Sequence, residues 1–139
     1  MKYPVTVIDT SVAIKWFVRE AEGKHEAAQV LSQVEASPRL FAVPELFFNE
    51  MLSVLCRLCT SESQVVRYLK VLEELGFHRI GNGSELLAVA AGLALHYRLT
   101  GYDAVYAASA QLVSGTWLTA DQKAHKKIEK LGISRSLVS

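Results

Sequence analysis

At 139 residues the chain is long enough to bury one real core and too short for two ordinary domains. Half of it is hydrophobic and the formal net charge is only +1, which excludes a disordered segment, an acidic or basic tail, and a protein that holds nucleic acid by bulk charge alone. No apolar run approaches the ~20 residues of a membrane span, and no basic segment followed by a signal-peptide core opens the chain. A cytosolic protein with no membrane association is the expectation.

Val5-Thr6-Val7-Ile8 is a β-branched apolar run that stops at Asp9-Thr10-Ser11. It reads as a strand buried on both faces, the kind found inside parallel sheets covered by helices. In such sheets the chemistry gathers where strands end at their carboxyl edge, and Asp9 stands there. Val12 to Val18 reads as a short helix capped by Thr10 or Ser11. Glu20 to Val34 reads as a longer one, broken by Ser37-Pro38-Arg39. Leu40 to Val43 is the second strand. Pro44 suits a helix start, and Glu45 to Leu58 is apolar most of the way round, so that cover on two sides is expected, one of them a second subunit or partner. Glu50 is the carboxylate in the middle of that surface.

Ser61 caps a helix to Leu75, and Phe77 to Ile80 is a brief third strand closed by the turn Gly81-Asn82-Gly83. Ser84 caps Glu85 to Tyr97. Leu99 to Tyr102 reads as a loop, and Asp103 opens a small-residue helix to Leu112. Gly115 to Thr119 is a fourth strand ending at Asp121. Lys123 to Leu131 is the last helix, ended by Gly132, with Ile133 to Val138 as an edge strand. Strands alternating with helices imply an α/β fold with a mostly parallel sheet of four to five short strands between two helical layers.

Four carboxylates fall where this architecture places functional groups: Asp9, Glu50, Asp103 and Asp121. Singly each has a plain structural explanation, Asp103 as a helix cap above all. Together they would be costly, since two carboxylates about 5 Å apart repel by roughly 3 kcal/mol at an effective dielectric near 20. Convergence would need a divalent cation or raised pKa values to offset it. An all-oxygen cluster without His or Cys favours Mg²⁺ or Mn²⁺ over zinc and suits phosphodiester chemistry. Cys56 and Cys59 read as two buried small hydrophobes, and His25, His78, His96 and His125 have no metal-like partner. Lys123, Lys126, Lys127 and Lys130 share a helix face that is either solvated surface or a phosphate-tracking stripe.

Val7-Ile8-Asp9-Thr10-Ser11, Pro44-Glu45-Leu46 through Asn49-Glu50-Met51-Leu52-Ser53-Val54-Leu55, Tyr102-Asp103-Ala104-Val105-Tyr106-Ala107-Ala108-Ser109-Ala110 and Leu118-Thr119-Ala120-Asp121 resemble the ordered motifs of the PIN-domain family. Length and order are similar to its single-domain VapC-type toxins of prokaryotic toxin–antitoxin pairs. The resemblance implies a PIN-like α/β/α sandwich and a metal-dependent endoribonuclease. Asp9 and Asp103 would be the principal ligands of Mg²⁺ or Mn²⁺, with Glu50 and Asp121 completing the pocket. Thr10, Ser11 and Thr119 would orient the carboxylates. It further implies a homodimer and a cognate antitoxin on the apolar helices, with RNA as substrate. Two departures stand out: Ser53, where many members carry asparagine, and Lys123, where a further acid would support a second metal. The competing reading is a non-catalytic PIN-like binding module whose carboxylates serve only as caps. An aspartyl-phosphate phosphatase would need an acid at Ser11, and a dinucleotide-binding domain a Gly-rich turn after the first strand.

Overall fold

A computed structural model describes residues 5–19 and 21–138. Five strands form one sheet: β1 (Thr6–Ile8), β2 (Phe41–Pro44), β3 (His78–Ile80), β4 (Thr116–Thr119) and β5 (Ser134–Ser136), in the order β3-β2-β1-β4-β5. Every pairing is parallel, with Ile8 opposite Leu118 at the β1–β4 seam. The helices are α1 (Thr10–Ala13), α2 (Lys24–Ala36), α3 (Leu46–Leu58), α4 (Glu62–Glu74), α5 (Ser84–Tyr97), α6 (Gly101–Leu112) and α7 (Gln122–Ile128). The chain first steps from β1 to β2 to β3, then returns past β1 to β4 and β5. With right-handed crossovers, α1 to α4 cover one face and α5 to α7 the other. The reversal lies between β1 and β4, the topological switch point at which open α/β sheets bind their ligands.

The core sits on both sides of that seam. Val7, Ile8, Trp117 and Leu118 are fully buried, as are Phe47, Met51 and Leu55 of α3 and the alanines of α6. The small side chains of α6 let it lie close against β1, β2 and β4 while α5 packs on its outer side. Among the described residues no buried side-chain nitrogen or oxygen lacks a hydrogen-bond partner. Among them, too, no helix is long and apolar enough to cross a membrane.

Several element ends differ from the sequence expectation. The second helix starts at Lys24, because Gly23 adopts φ 76° just before it, and Glu20 lies outside the described residues. Asp9, rather than Thr10 or Ser11, caps α1 by accepting the Ser11 N–H. Gly83 occupies the cap position of α5, with Ser84 its first helical residue. α6 begins at Gly101, so Tyr102 is helical rather than part of a loop. The last regular helix stops at Ile128 and continues as a 3-10 turn, Glu129–Leu131, which takes Lys130 out of the helical register of Lys123, Lys126 and Lys127. Cys56 is exposed and Cys59 half-buried, so they are not a buried pair: α3 buries the stripe Phe47, Met51, Leu55, and Cys56 falls on its outer side. That outer side leaves Leu52 44 % and Leu58 54 % exposed.

Candidate active site

Each of the four acids is carried to the carboxyl edge of the sheet by a different connection. Asp9 directly follows β1 and Asp121 follows β4 by one residue, on either side of the switch point. Glu50 lies in the second turn of α3, after β2. Helix α6 leads into β4 and so runs against the strands, which puts its first turn, and Asp103, at the same edge.

Asp9 is 7 % exposed and nearly saturated with donors. The Ser11 N–H (3.2 Å), the Ser11 hydroxyl and the Thr119 hydroxyl (3.2 Å) point at Oδ2, and the Trp117 indole Nε1–H (3.2 Å) at Oδ1. Burial nonetheless dominates and raises its pKa above 3.8, with these donors pulling back. The same hydroxyls hold the β4 end. Ser11 Oγ accepts from the Ala120 N–H at 2.9 Å, and Thr119 Oγ1 accepts from the Asp121 N–H at 3.0 Å. Ser11 and Thr119 thus orient the Asp9 carboxylate as expected of them, and Thr10 does the same for Glu50.

The partners of Glu50 are distant in sequence. Thr10 Oγ1 donates to Glu50 Oε1 at 3.3 Å, and the Tyr106 hydroxyl meets Thr10 Oγ1 at 2.8 Å. With the Thr10 hydrogen directed at the carboxylate, the phenol donates to Thr10 and also bears on Glu50 directly, so both hydroxyls serve Glu50. The Tyr106 ring is 1 % exposed and stacks on Trp117, centroids 6.2 Å apart and planes 17° from parallel. Two aromatic rings therefore lie under the acids, one serving Glu50 through Thr10 and the other bonded to Asp9. Burial first, and the neighbouring Glu50 and Asp9 charges next, hold the Tyr106 phenol well above its ordinary pKa, so it remains a donor.

Asp103 is not a cap. The Thr100 hydroxyl takes the Asp103 N–H at 3.1 Å and caps α6 in its place. The Asp103 carboxylate is half-buried at the edge, with the Thr100 hydroxyl as a neighbouring donor. Asp121 does cap α7, with Oδ1 accepting the Ala124 N–H at 3.1 Å, so one of its oxygens is committed to structure.

The acids sense one another. Glu50 is raised by burial and by the charges of Asp9 and Asp103. Asp103 is raised by burial and by Asp9 and Asp121, with Lys127 pulling it back. Lys127, from the predicted lysine stripe, donates to the Arg98 carbonyl at 3.0 Å. None of the four histidines is drawn into this group. Among the described residues, no three His, Cys, Asp or Glu side chains are arranged to close directly on a metal ion. The donors are hard carboxylate oxygens, which fits a cation such as Mg²⁺ that keeps most of its waters and binds through one or two carboxylates.

A carboxyl whose folded-state pKa lies above its unfolded value contributes stability that is complete below the unfolded value and lost as pH rises through the folded one. In metal-free buffer, Asp9, Glu50 and Asp103 should therefore weaken the fold between about pH 4 and neutrality. Glu50→Gln keeps the acceptor for Thr10 and removes one charge. The urea midpoint of the wild type is expected to fall relative to this variant across that range. Parallel midpoint curves would show that the acids do not strain the fold.

Tyr106, Trp117 and Thr100 were not singled out from the sequence. Tyr106 lay inside a quoted motif, at one helical turn from Asp103, and that spacing was its only signal. Trp117 and Thr100 carried none.

A profile of the PIN domain matches residues 6–131 of the chain. No curated protein matches. Among solved structures, a toxin–antitoxin complex from Klebsiella pneumoniae superposes with a TM-score of 0.73 at 22 % identity, covering 96 % of this chain and 98 % of the other. PAE2754 from Pyrobaculum aerophilum gives 0.66 at 20 %, covering 96 % and 91 %. VapBC2 from Rickettsia felis, solved bound to a DNA fragment from its promoter, gives 0.71 at 13 %, covering 95 % and 98 %. At such identities these likenesses concern the fold. The profile match over nearly the whole chain, on a five-stranded parallel sheet with its acids at the switch point, places the chain in the PIN-domain family.

Proposed function

We propose that the protein is a Mg²⁺- or Mn²⁺-dependent endoribonuclease and the toxin of a toxin–antitoxin pair. The observation that carries the reading is the placement of Asp9, Glu50, Asp103 and Asp121 at the carboxyl edge of the sheet around the switch point, where the charge of Asp9 bears on Glu50 and Asp103 and that of Asp121 on Asp103. Carboxyls whose pKa values are raised by burial and by one another cluster at functional sites. Asp9 and Asp103 would hold the ion, and Glu50 and the free oxygen of Asp121 would complete its surroundings through water. When bound, the ion would neutralise charge on the scissile phosphate and lower the pKa of a water. Asp9, locked by its donors, offers its oxygens in a fixed direction. Glu50, half-buried with a raised pKa and steadied by Thr10, suits the role of accepting the proton of the attacking water. Lys127 and Lys123 would draw the RNA backbone toward the acids.

The non-catalytic reading explains Asp9 and Asp121, which both cap helices. It leaves Asp103 without a purpose, since Thr100 caps α6. Two of the structural neighbours, the toxin–antitoxin complex from Klebsiella pneumoniae and VapBC2 from Rickettsia felis, support an antitoxin partner. The exposed Leu52 and Val66 along the α3–α4 groove would be covered by that antitoxin or by a second copy in a homodimer.

The test is purified protein incubated with single-stranded and structured RNA in Mg²⁺, in Mn²⁺ and in EDTA. Cleavage is expected with either metal and none in EDTA. Cleavage surviving EDTA would sink the metal mechanism, and no cleavage under any condition would favour the binding module.

A further inference from the structure

Tyr102 is the first residue before Asp103 and stands 64 % exposed in the first turn of α6, its backbone held by the Thr100 cap. An open cleft of about 300 Å³ lies on one side of it, walled by Glu50, Ser53 and Arg57 of α3. A second cleft of about 250 Å³ also counts Tyr102 among its walls and shares Leu46 and Asn49 with the first. The ring is therefore a partition between two hollows, one of which has the acid Glu50 as its inner wall. Among the described residues nothing hydrogen-bonds the Tyr102 hydroxyl. Arg57 lies seven residues beyond Glu50, two helical turns or about 10.5 Å along the same side of α3. It is exposed and, among the described residues, in no salt bridge.

We propose that Tyr102 and Arg57 form a subsite for one unpaired nucleotide of single-stranded RNA, with the base on the Tyr102 ring and a flanking phosphate on Arg57. An exposed aromatic ring beside a hollow of small-ligand size offers a stacking surface that any base can use. Paired bases are already stacked and cannot reach it, so the subsite selects loops and single strands. Arg57 supplies a cation that an acidic centre needs if it is to receive a polyanion, and it does so far enough from Glu50 to leave that carboxylate unpaired. This deepens the ribonuclease reading by naming the form of RNA accepted, and it rests on that reading for its place in a reaction.

The test measures binding without cleavage. A fluorescein-labelled ten-nucleotide oligouridylate is titrated with the protein in EDTA and followed by anisotropy, beside a base-paired hairpin closed by a non-nucleotide linker and carrying the same label. Tyr102→Ala is expected to weaken oligouridylate binding about tenfold and leave the hairpin unaffected, and Tyr102→Phe, which keeps the ring, to restore it. Arg57→Ala should reduce the salt dependence by about one counterion for both ligands. Equal affinity of Tyr102→Ala for oligouridylate, an equal loss on the hairpin, or a changed elution volume showing Tyr102 in a subunit interface would each overturn the subsite. Because no metal or cleavage is involved, a protein that binds in this Tyr102-dependent way and never cuts RNA would refute the ribonuclease and keep the subsite. A protein that cuts RNA with an unchanged KM in Tyr102→Ala would do the reverse.

Discussion

Asp9→Asn is expected to lower metal-dependent RNA cleavage by at least about a hundredfold, the scale on which the loss of a principal charge-stabilising group falls. The substitution is nearly isosteric, and with its amide oxygen toward Ser11 and Thr119 only the Trp117 N–H is left facing the new NH2, so the fold should persist at some cost in stability. What changes is the strength of the local negative field. A neutral amide at position 9 withdraws one of the charges that Glu50 and Asp103 both feel, and with it the demand for a cation. Mg²⁺ should therefore raise the melting temperature of the wild type and not that of Asp9→Asn, because only a ligand that prefers the folded state shifts the midpoint. An equal rise in both proteins would remove Asp9 from the ion site. Full cleavage by Asp9→Asn would remove it from the reaction. The pairing of the two measurements separates a lost ligand from a lost fold.

Gly115→Ala is expected to cost about 3 kcal/mol of folding stability, or roughly 10 °C in melting temperature. Gly115 joins α6 to β4, where its N–H reaches the Ala110 carbonyl at 2.8 Å and the next residue pairs with Val5. A Cβ here would lie 2.1 Å from the Val5 carbonyl oxygen, which is itself bonded to the Thr116 N–H at 2.9 Å. The obstruction is backbone on the central strand, so relief requires β1 and β4 to separate. Asp9 and Asp121 leave those two strands, so Mg²⁺ binding should weaken along with stability. Gly92 provides the contrast. A Cβ there meets nothing within 4 Å, and Gly92→Ala in the middle of α5 should stabilise by about 0.8–1 kcal/mol through helix propensity. Equilibrium denaturation of both variants checks the pair. A Gly115→Ala protein as stable as the wild type would mean that the seam is looser than its geometry.

The periodic features were legible in the sequence because they follow local rules. β-Branched runs became the inner strands, helical spacing became helices, and the alternation of the two made the sheet parallel. The acids were legible for a related reason, since each follows a recognisable strand or opens a helix. Partners from afar were not. Thr10 and Glu50 are 40 residues apart, Thr10 and Tyr106 96, and Trp117 and Asp9 108, and no local pattern links them. The cap explanation weighed for Asp103 fails because Thr100, three residues earlier, takes that role. Hydroxyls compete well for the position, and only the chain path decides the winner. Cys56 was misplaced because periodicity shows that α3 has an apolar excess without showing which side the core takes.

The sheet order has a consequence for biosynthesis. β4 must slide in beside β1, so the central seam joins residue 8 to residue 118, and one of the four acids is contributed only after it. A ribosome that has extruded the first hundred residues carries neither Asp103 nor Asp121, and Asp9 still lacks the Trp117 and Thr119 donors that aim it. On the proposed reading, a nascent toxin is thus harmless to the message that encodes it until β4 and Asp121 have left the ribosome.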